Sequence, residues 1–217
     1  MTPLHYRSTA ITRNVESLMW LANMGCIEIH PWLSRLRHLD REDFAVFDLD
    51  PAEGATWKQV VAVARLLRVA LDRLGLRGYP KTSGSRGIHV YVPLDPIYDY
   101  RRVRTFVERL GHLLASANPQ DVTMDRNIPR RRGRVFIDSG QNRAGATIAS
   151  VYSVRPRPGA PVSTPLRWEE LDRISPGDFT IATVWHRISG FGDLFAPVLK
   201  GGQVLDHAEA ALGIVLA

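Results

Sequence analysis

Phe44–Pro51 reads FAVFDLDP. Phe44 to Leu49 is a mostly apolar, β-prone run, the composition of a strand buried on both faces. Asp48 and Asp50 flank Leu49 at its end. Strand side chains alternate, so these two carboxylates share a face, with Cα atoms about 6.6 Å apart. Together near a strand end they repel each other and lose solvation. A bridging divalent cation removes that penalty, and oxygen-only ligands favour Mg²⁺ or Mn²⁺ over zinc. Taken alone, two aspartates before Pro51 also read as a strand-end turn.

A second run of the same character, Arg134–Asp138 (RVFID), ends on another aspartate far downstream. Three carboxylates can hold two metal ions about 3.5–4 Å apart, the arrangement used for in-line phosphoryl displacement. Asp48, Asp50 and Asp138 are therefore the candidate catalytic and metal-ligating residues, provided the fold brings them together. Between the two runs, residues 56–74 carry a helical stripe of Val60, Val61, Ala64, Leu67, Leu71 and Leu74, with Gly75 as a stop. Residues 78–82 and 88–92 read as strands. Residues 100–115 read as a second amphipathic helix through Val103, Phe106, Val107, Leu110 and Leu114. Val15–Asn23 has helical spacing before Gly25. Cys26–His30 alternates like a short strand ended by Pro31, and Ala146–Val151 reads as one more. The proline-rich stretch Arg155–Pro165 is expected to run extended over the surface, and Leu166–Ile174 to form a short helix. Helices and strands in mixed order, without regular βαβ alternation, indicate one α+β domain over residues 1–217.

The two central strands are joined by Ser83-Gly84-Ser85-Arg86-Gly87, within KTSGSRGIH (Lys81–His89). Glycines let backbone N–H groups approach an anion closely. Lys81, Ser83, Ser85, Arg86 and His89 are thus candidate nucleotide-binding residues, with His89 positioned for a phosphate or sugar oxygen. The loop is not a Walker A motif, because no Gly-Lys-Ser/Thr opens a helix. A flexible hairpin tip is the plain alternative. Gln141, just past Asp138, is a further nucleotide-binding candidate, and Arg155 in VYSVRPRP is a candidate to neutralise pyrophosphate charge. Arg157 and Arg167 read as ordinary surface charge. Arg130, Arg131 and Arg132 lead into the Asp138 strand and are candidate contacts to template phosphates.

The 217-residue chain carries a formal charge of +6, supplied mostly by arginine, since Lys58, Lys81 and Lys200 are the only lysines. Arginine suits bidentate phosphate recognition, and a basic surface associates with polyanions without naming one. One cysteine, Cys26, excludes an internal disulfide and fits a reducing cytoplasm. Its apolar neighbours place it as a small core residue. No apolar run approaches the roughly 20 residues a membrane helix needs, so no membrane association is expected.

Four segments in order, LMWLANMGCIEIHPWLSR, FAVFDLDP, YPKTSGSRGIHVYVPL and FIDSGQNRAGATIASVYSVRPRPGAPVSTPLRWEEL, cover most of residues 14–172. Together they resemble the polymerase domain of bacterial ligase D, of the archaeo-eukaryotic primase superfamily, which acts in non-homologous end joining. The resemblance implies a primase-polymerase core with two mixed sheets, or lobes, around a central cleft flanked by helices. It implies template-dependent nucleotidyl transfer from NTP or dNTP to a 3′-hydroxyl, with two Mn²⁺ or Mg²⁺ ions. Asp48 and Asp50 match the first metal motif, Asp138 the third, and Ser83 and His89 the nucleotide-binding motif between them. His30 matches a histidine near the active site, and Arg155 a triphosphate-side arginine. The implied partners are a DNA primer-template or broken end, a Ku-like protein and a ligase, and the implied location is the cytoplasm at the bacterial nucleoid. About thirteen residues precede the match, where the family usually has a region that grips a 5′-phosphate, so that recognition is expected to be weakened. No ligase or nuclease module is legible in the chain. A degenerate DNA-end-binding module and a two-metal nuclease are the competing readings.

Overall fold

The computed structural model describes residues 11–12 and 14–214. Strand β1 (Phe44–Pro51) is the middle of a five-stranded sheet. On one side it pairs antiparallel with β3 (Ile88–Pro93), which pairs in turn with β2 (Tyr79–Thr82). On the other side it pairs antiparallel with β5 (Val135–Asp138), and the two-residue β4 (Val122–Thr123) adds on in parallel. The order is β2-β3-β1-β5-β4. The apolar composition of β1 follows from its central place, with both faces covered.

Ala45, Phe47 and Leu49 project to one face with Val90, Val92, Val135 and Ile137, and there they meet two helices in the main core. Helix α2 (Trp57–Arg73) buries Val60, Val61, Ala64, Leu67 and Leu71, the stripe expected from its period. It starts at a capping box in which Thr56 and Gln59 satisfy each other's backbone N–H groups. Helix α3 (Tyr100–Ala117), capped by Asp99, buries Val103, Phe106, Val107, Leu110 and Leu114. Phe47 and Phe106 meet edge-to-face at 6.1 Å. The opposite face carries a smaller core of Leu33, Val46, Tyr91, Ile148, Phe195 and Val198 at one end, and polar groups at the other.

Helix α1 (Val15–Asn23) forms as expected and buries none of its residues. The C-terminal region supplies α4 (Val184–Phe191), α5 (Ala196–Lys200) and α6 (Asp206–Ala211). Among the described residues no helix is long and apolar enough to cross a membrane.

The α+β architecture matches the expectation, with four differences. First, Cys26–His30 and Ala146–Val151 are not strands. They run beside each other through Ser150 N to Ile29 O (2.9 Å), Ile148 N to Pro31 O (3.4 Å) and Ile29 N to Ser153 Oγ (2.9 Å). Pro31 interrupts the donors a ladder would need. Second, one sheet, not two, is present among the described residues. These segments and 152–165 build the facing wall of the cleft, held by isolated bridges such as Lys81 to Pro165 and Val154 to Val162. Third, only the tip of Arg155–Pro165 is at the surface, because Val162, Ser163 and Thr164 are buried against β2. Fourth, Leu166–Ile174 contains only a single turn of 3₁₀ helix at Trp168–Glu170. Cys26 is half-buried with its thiol on Glu28 O, outside either core.

Candidate active site

In an antiparallel pair, residues directly opposite each other point to the same face. Lys81 opposes His89, His89 opposes Asp48, and Asp48 opposes Asp138. A row of four ionisable side chains therefore crosses the sheet on the face away from α2 and α3. Asp50, two residues beyond Asp48, joins the same face. The strand alternation that buries Phe47 and Leu49 is what places this row opposite them.

Crowding sets the charges of the row. Burial and then the neighbouring Asp50 and Asp138 push the Asp48 carboxyl up to about 7, while Lys81 and a hydrogen bond from Gln141 pull it down. Asp48 has only 17% of its side chain exposed. Burial raises Asp50 as well, opposed by Arg86 and Arg131. Burial, helped by Lys81 and Arg155, holds the His89 imidazole far below the usual histidine range, so it is neutral at pH 7. Its Nε2 faces Asp48 Oδ1 at 3.4 Å, and its buried Nδ1 has no hydrogen-bond partner in the chain.

The loop between β2 and β3 is fastened on three sides. Ser83 N donates to Gly87 O, and Ser83 Oγ accepts from the N–H groups of Ser85 and Gly87, both at 3.1 Å. With its acceptor positions taken, the Ser83 hydroxyl proton remains to be donated outward. Gly84 has φ +70°, and a Cβ there would meet Arg155 Cγ at 2.6 Å and Ser163 N at 2.9 Å. A Cβ on Gly87 would meet Leu49 O at 2.4 Å, so the loop lies directly on β1 between the two aspartates. Arg155 Nη1 donates to Ser83 O (2.6 Å), and its Nε pairs with Glu28. Arg155 thus ties the loop to the facing wall.

A cleft of about 260 Å³ opens over this arrangement, lined by Asp48, Asp50, Ser83, Ser85, His89, Arg155 and Gln141, with His30 and Arg157 at the facing wall. Asp138 lines an adjoining recess with Gln141, Arg126, Arg131 and Arg143. Four assignments change. Lys81 is fully buried and donates to Ser163 Oγ, too deep to meet a ligand, and burial lowers its ammonium to about 7. Arg86 is exposed outside the cleft lining and acts on Asp50 only through its charge. Arg131 folds back, its Nε on Asp125 O (2.7 Å), its guanidinium 3.5 Å over the Phe136 ring. Arg130 and Arg132 remain exposed, beside Asp125 and Glu53 at 3.8 and 3.7 Å. Arg157, read from sequence as surface charge, lines the cleft. No local signal marked it, because the chain bends there, Arg157 N donating to Arg155 O at 2.8 Å.

A hard divalent cation suits the donor set in kind. Three carboxylates share one face, burial and then mutual repulsion raise the Asp48 carboxyl, and no thiolate lies among them. As the side chains stand, no three of them among the described residues close around one point, and Asp138 Oδ1 accepts from Gly140 N at 2.7 Å.

Residues 5–195 match the family model of the LigD primase-polymerase domain. The chain belongs to that family. It is 38% identical over 162 residues to the multifunctional non-homologous end joining protein LigD of Pseudomonas aeruginosa, covering 75% of this chain and 19% of that protein. The LigD of Mycolicibacterium smegmatis is 34% identical over 193 residues, covering 88% of this chain and 25% of that protein. The bifunctional LigD of Bacillus subtilis is 33% identical over 195 residues, covering 89% and 32%. The chain thus spans about a fifth to a third of the length of these relatives. Among solved structures, the polymerase domain of Mycobacterium tuberculosis ligase D in complex with DNA superposes with a TM-score of 0.79 at 29% identity, covering 93% of this chain and 77% of that one. Membership in the LigD primase-polymerase domain family implies a nucleotidyltransferase kind of domain.

Proposed function

We propose that this LigD domain extends DNA ends by adding nucleotides from NTP or dNTP to a primer 3′-hydroxyl, with Mn²⁺ or Mg²⁺ held by Asp48, Asp50 and Asp138. The observation that carries this is the register placing Asp138 directly opposite Asp48, beside the Ser83–Gly87 loop. When bound, the metal ions would supply a lowered pKa for the attacking hydroxyl and charge neutralisation for the leaving pyrophosphate. The chain's own groups then divide the work. Ser83 donates its hydroxyl proton to a phosphate oxygen. His89, neutral, turns Nε2 toward Asp48 and holds that carboxylate in place, its Nδ1 lying buried beside the cleft. Arg155 and Arg157 neutralise phosphate charge from the facing wall, and His30 closes that side. Gln141, beside Asp48 in the cleft and shared by both recesses, orients the carboxylate between nucleotide and primer.

The solved DNA complex of the Mycobacterium tuberculosis polymerase domain supports a DNA substrate for this chain, and a Ku-like protein and a ligase are the proposed partners. The test is extension of recessed and gapped duplexes, with and without a downstream 5′-phosphate, by the purified chain in Mn²⁺. Template-directed elongation is expected. Release of mononucleotides without added NTP would favour a nuclease. DNA binding with no metal-dependent nucleotide effect would favour a bare end-binding module.

A further inference from the structure

The cleft over Asp48 does not end at Gln141. Gln141 also lines the recess containing Asp138, Arg126 and Arg143, and Arg143 in turn lines a third recess with Arg101 and Arg104 of α3. Three hollows thus run on from one another through shared residues. The groups that suit a triphosphate, Ser83, Arg155 and Arg157, all lie on the Asp50 side, in the first hollow. In-line displacement requires the attacking oxygen to approach opposite the leaving pyrophosphate. Resting on the proposed activity, this puts the primer terminus at Asp138, in the second hollow.

From there we infer that the phosphate backbone of the primer strand runs along the third hollow, over Arg143 and down α3 past Arg101 and Arg104. The chemistry of the hollow fits such an occupant. Arg143 and Arg101 are exposed and in no ion pair among the described residues, Arg143 bonding only to Gly140 O (3.0 Å). The single acid of the hollow, Glu108, is already held by Arg104 (2.9 Å), by Arg126 (3.8 Å) and by the Ser139 hydroxyl (3.0 Å). An anionic strand therefore meets free guanidinium groups and a neutralised carboxylate. Arg101 and Arg104 stand three apart on a helix and so on one side of it. None of these residues contacts the nucleotide side, which separates strand gripping from triphosphate binding.

The test is DNA affinity across a salt series, by anisotropy with a recessed primer-template. The double variant Arg101→Ala/Arg143→Ala is compared with wild type and with Arg73→Ala, an exposed control on α2. Neutralising phosphate contacts release counterions, so the double variant should bind about tenfold more weakly and lose about 1.5 from its log–log salt slope. It should raise KM for primer-template and leave KM for NTP unchanged. Neutral methylphosphonate linkages in the upstream primer strand should reproduce the loss in wild type and add nothing in the variant. Unchanged affinity and slope in a folded double variant would overturn the inference, as would sensitivity confined to the template strand. The binding loss alongside a wild type that extends no primer supports the groove and overturns the proposed activity instead.

Discussion

Glu42 is fully buried, and neither carboxylate oxygen has a hydrogen-bond partner. Burial, and then Asp99, raise its carboxyl to about 9. An acid raised in the folded state gives stability that is fully present below its unfolded value near 4.5 and is lost as pH climbs to about 9. Glu42→Gln removes that linkage. The stability of the variant relative to wild type should therefore grow by about 1.4 kcal/mol per pH unit between pH 5 and 9. Urea melts at several pH values check this, and parallel curves would refute it. Asp48 behaves alike over a lower window, from 3.8 to about 7. Without metal, Asp48→Asn should stabilise the folded chain by on the order of 2–4 kcal/mol at pH 8, because the neutral amide escapes the cost of burying a charge and then the repulsion of Asp50 and Asp138. The same variant should lose any thermal upshift given by Mn²⁺. Two-residue alternation sufficed to pair Asp48 with Asp50. The depth of Lys81 was not legible, because it depends on residues 162–165, distant in sequence, covering β2.

The Ser83–Gly87 loop is the element on which nucleotide binding turns. Its geometry needs Gly87, whose hydrogen lies where a methyl would meet Leu49 O at 2.4 Å. That atom is backbone of the central strand and cannot yield cheaply. Gly87→Ala should cost about 2 kcal/mol or more in melting experiments and raise KM for NTP. A fully stable variant with wild-type kinetics would show that the loop does not lie on β1 in this way. Long periodic elements such as α2 and α3 announced themselves, because each buries one continuous stripe. The same periodicity missed β4, which is two residues long and owes its pairing to β5. It also overread Cys26–His30 and Ala146–Val151. Their alternating side chains do face a partner, but Pro31 and irregular backbone leave that pairing short of a ladder. The prolines of RPRPGAP read as extended surface chain, but the segment turns, with Ala160 N donating to Arg157 O at 2.9 Å. The burial of the residues after it was not legible, since that depends on the distant β2 edge.

Across the whole molecule, one sheet separates two tasks. The face against α2 and α3 holds the main apolar core. The opposite face concentrates the repelling carboxylates at the strand ends and leaves a small core behind them. Stability is therefore supplied mostly from one side, and the charged row on the other can be kept strained for metal and nucleotide. The convergence of two aspartate-ended strands was foreseen in kind. The facing wall of irregular chain was not, since nothing in a local window shows that residues 26–31 and 146–165 meet. The most direct measurement is primer extension with NTP and Mn²⁺ by wild type and Asp138→Asn, with melting curves confirming that both are folded. Elongation by wild type and a loss of about a thousandfold in the variant are expected. Elongation by folded Asp138→Asn at a rate comparable to wild type would contradict it.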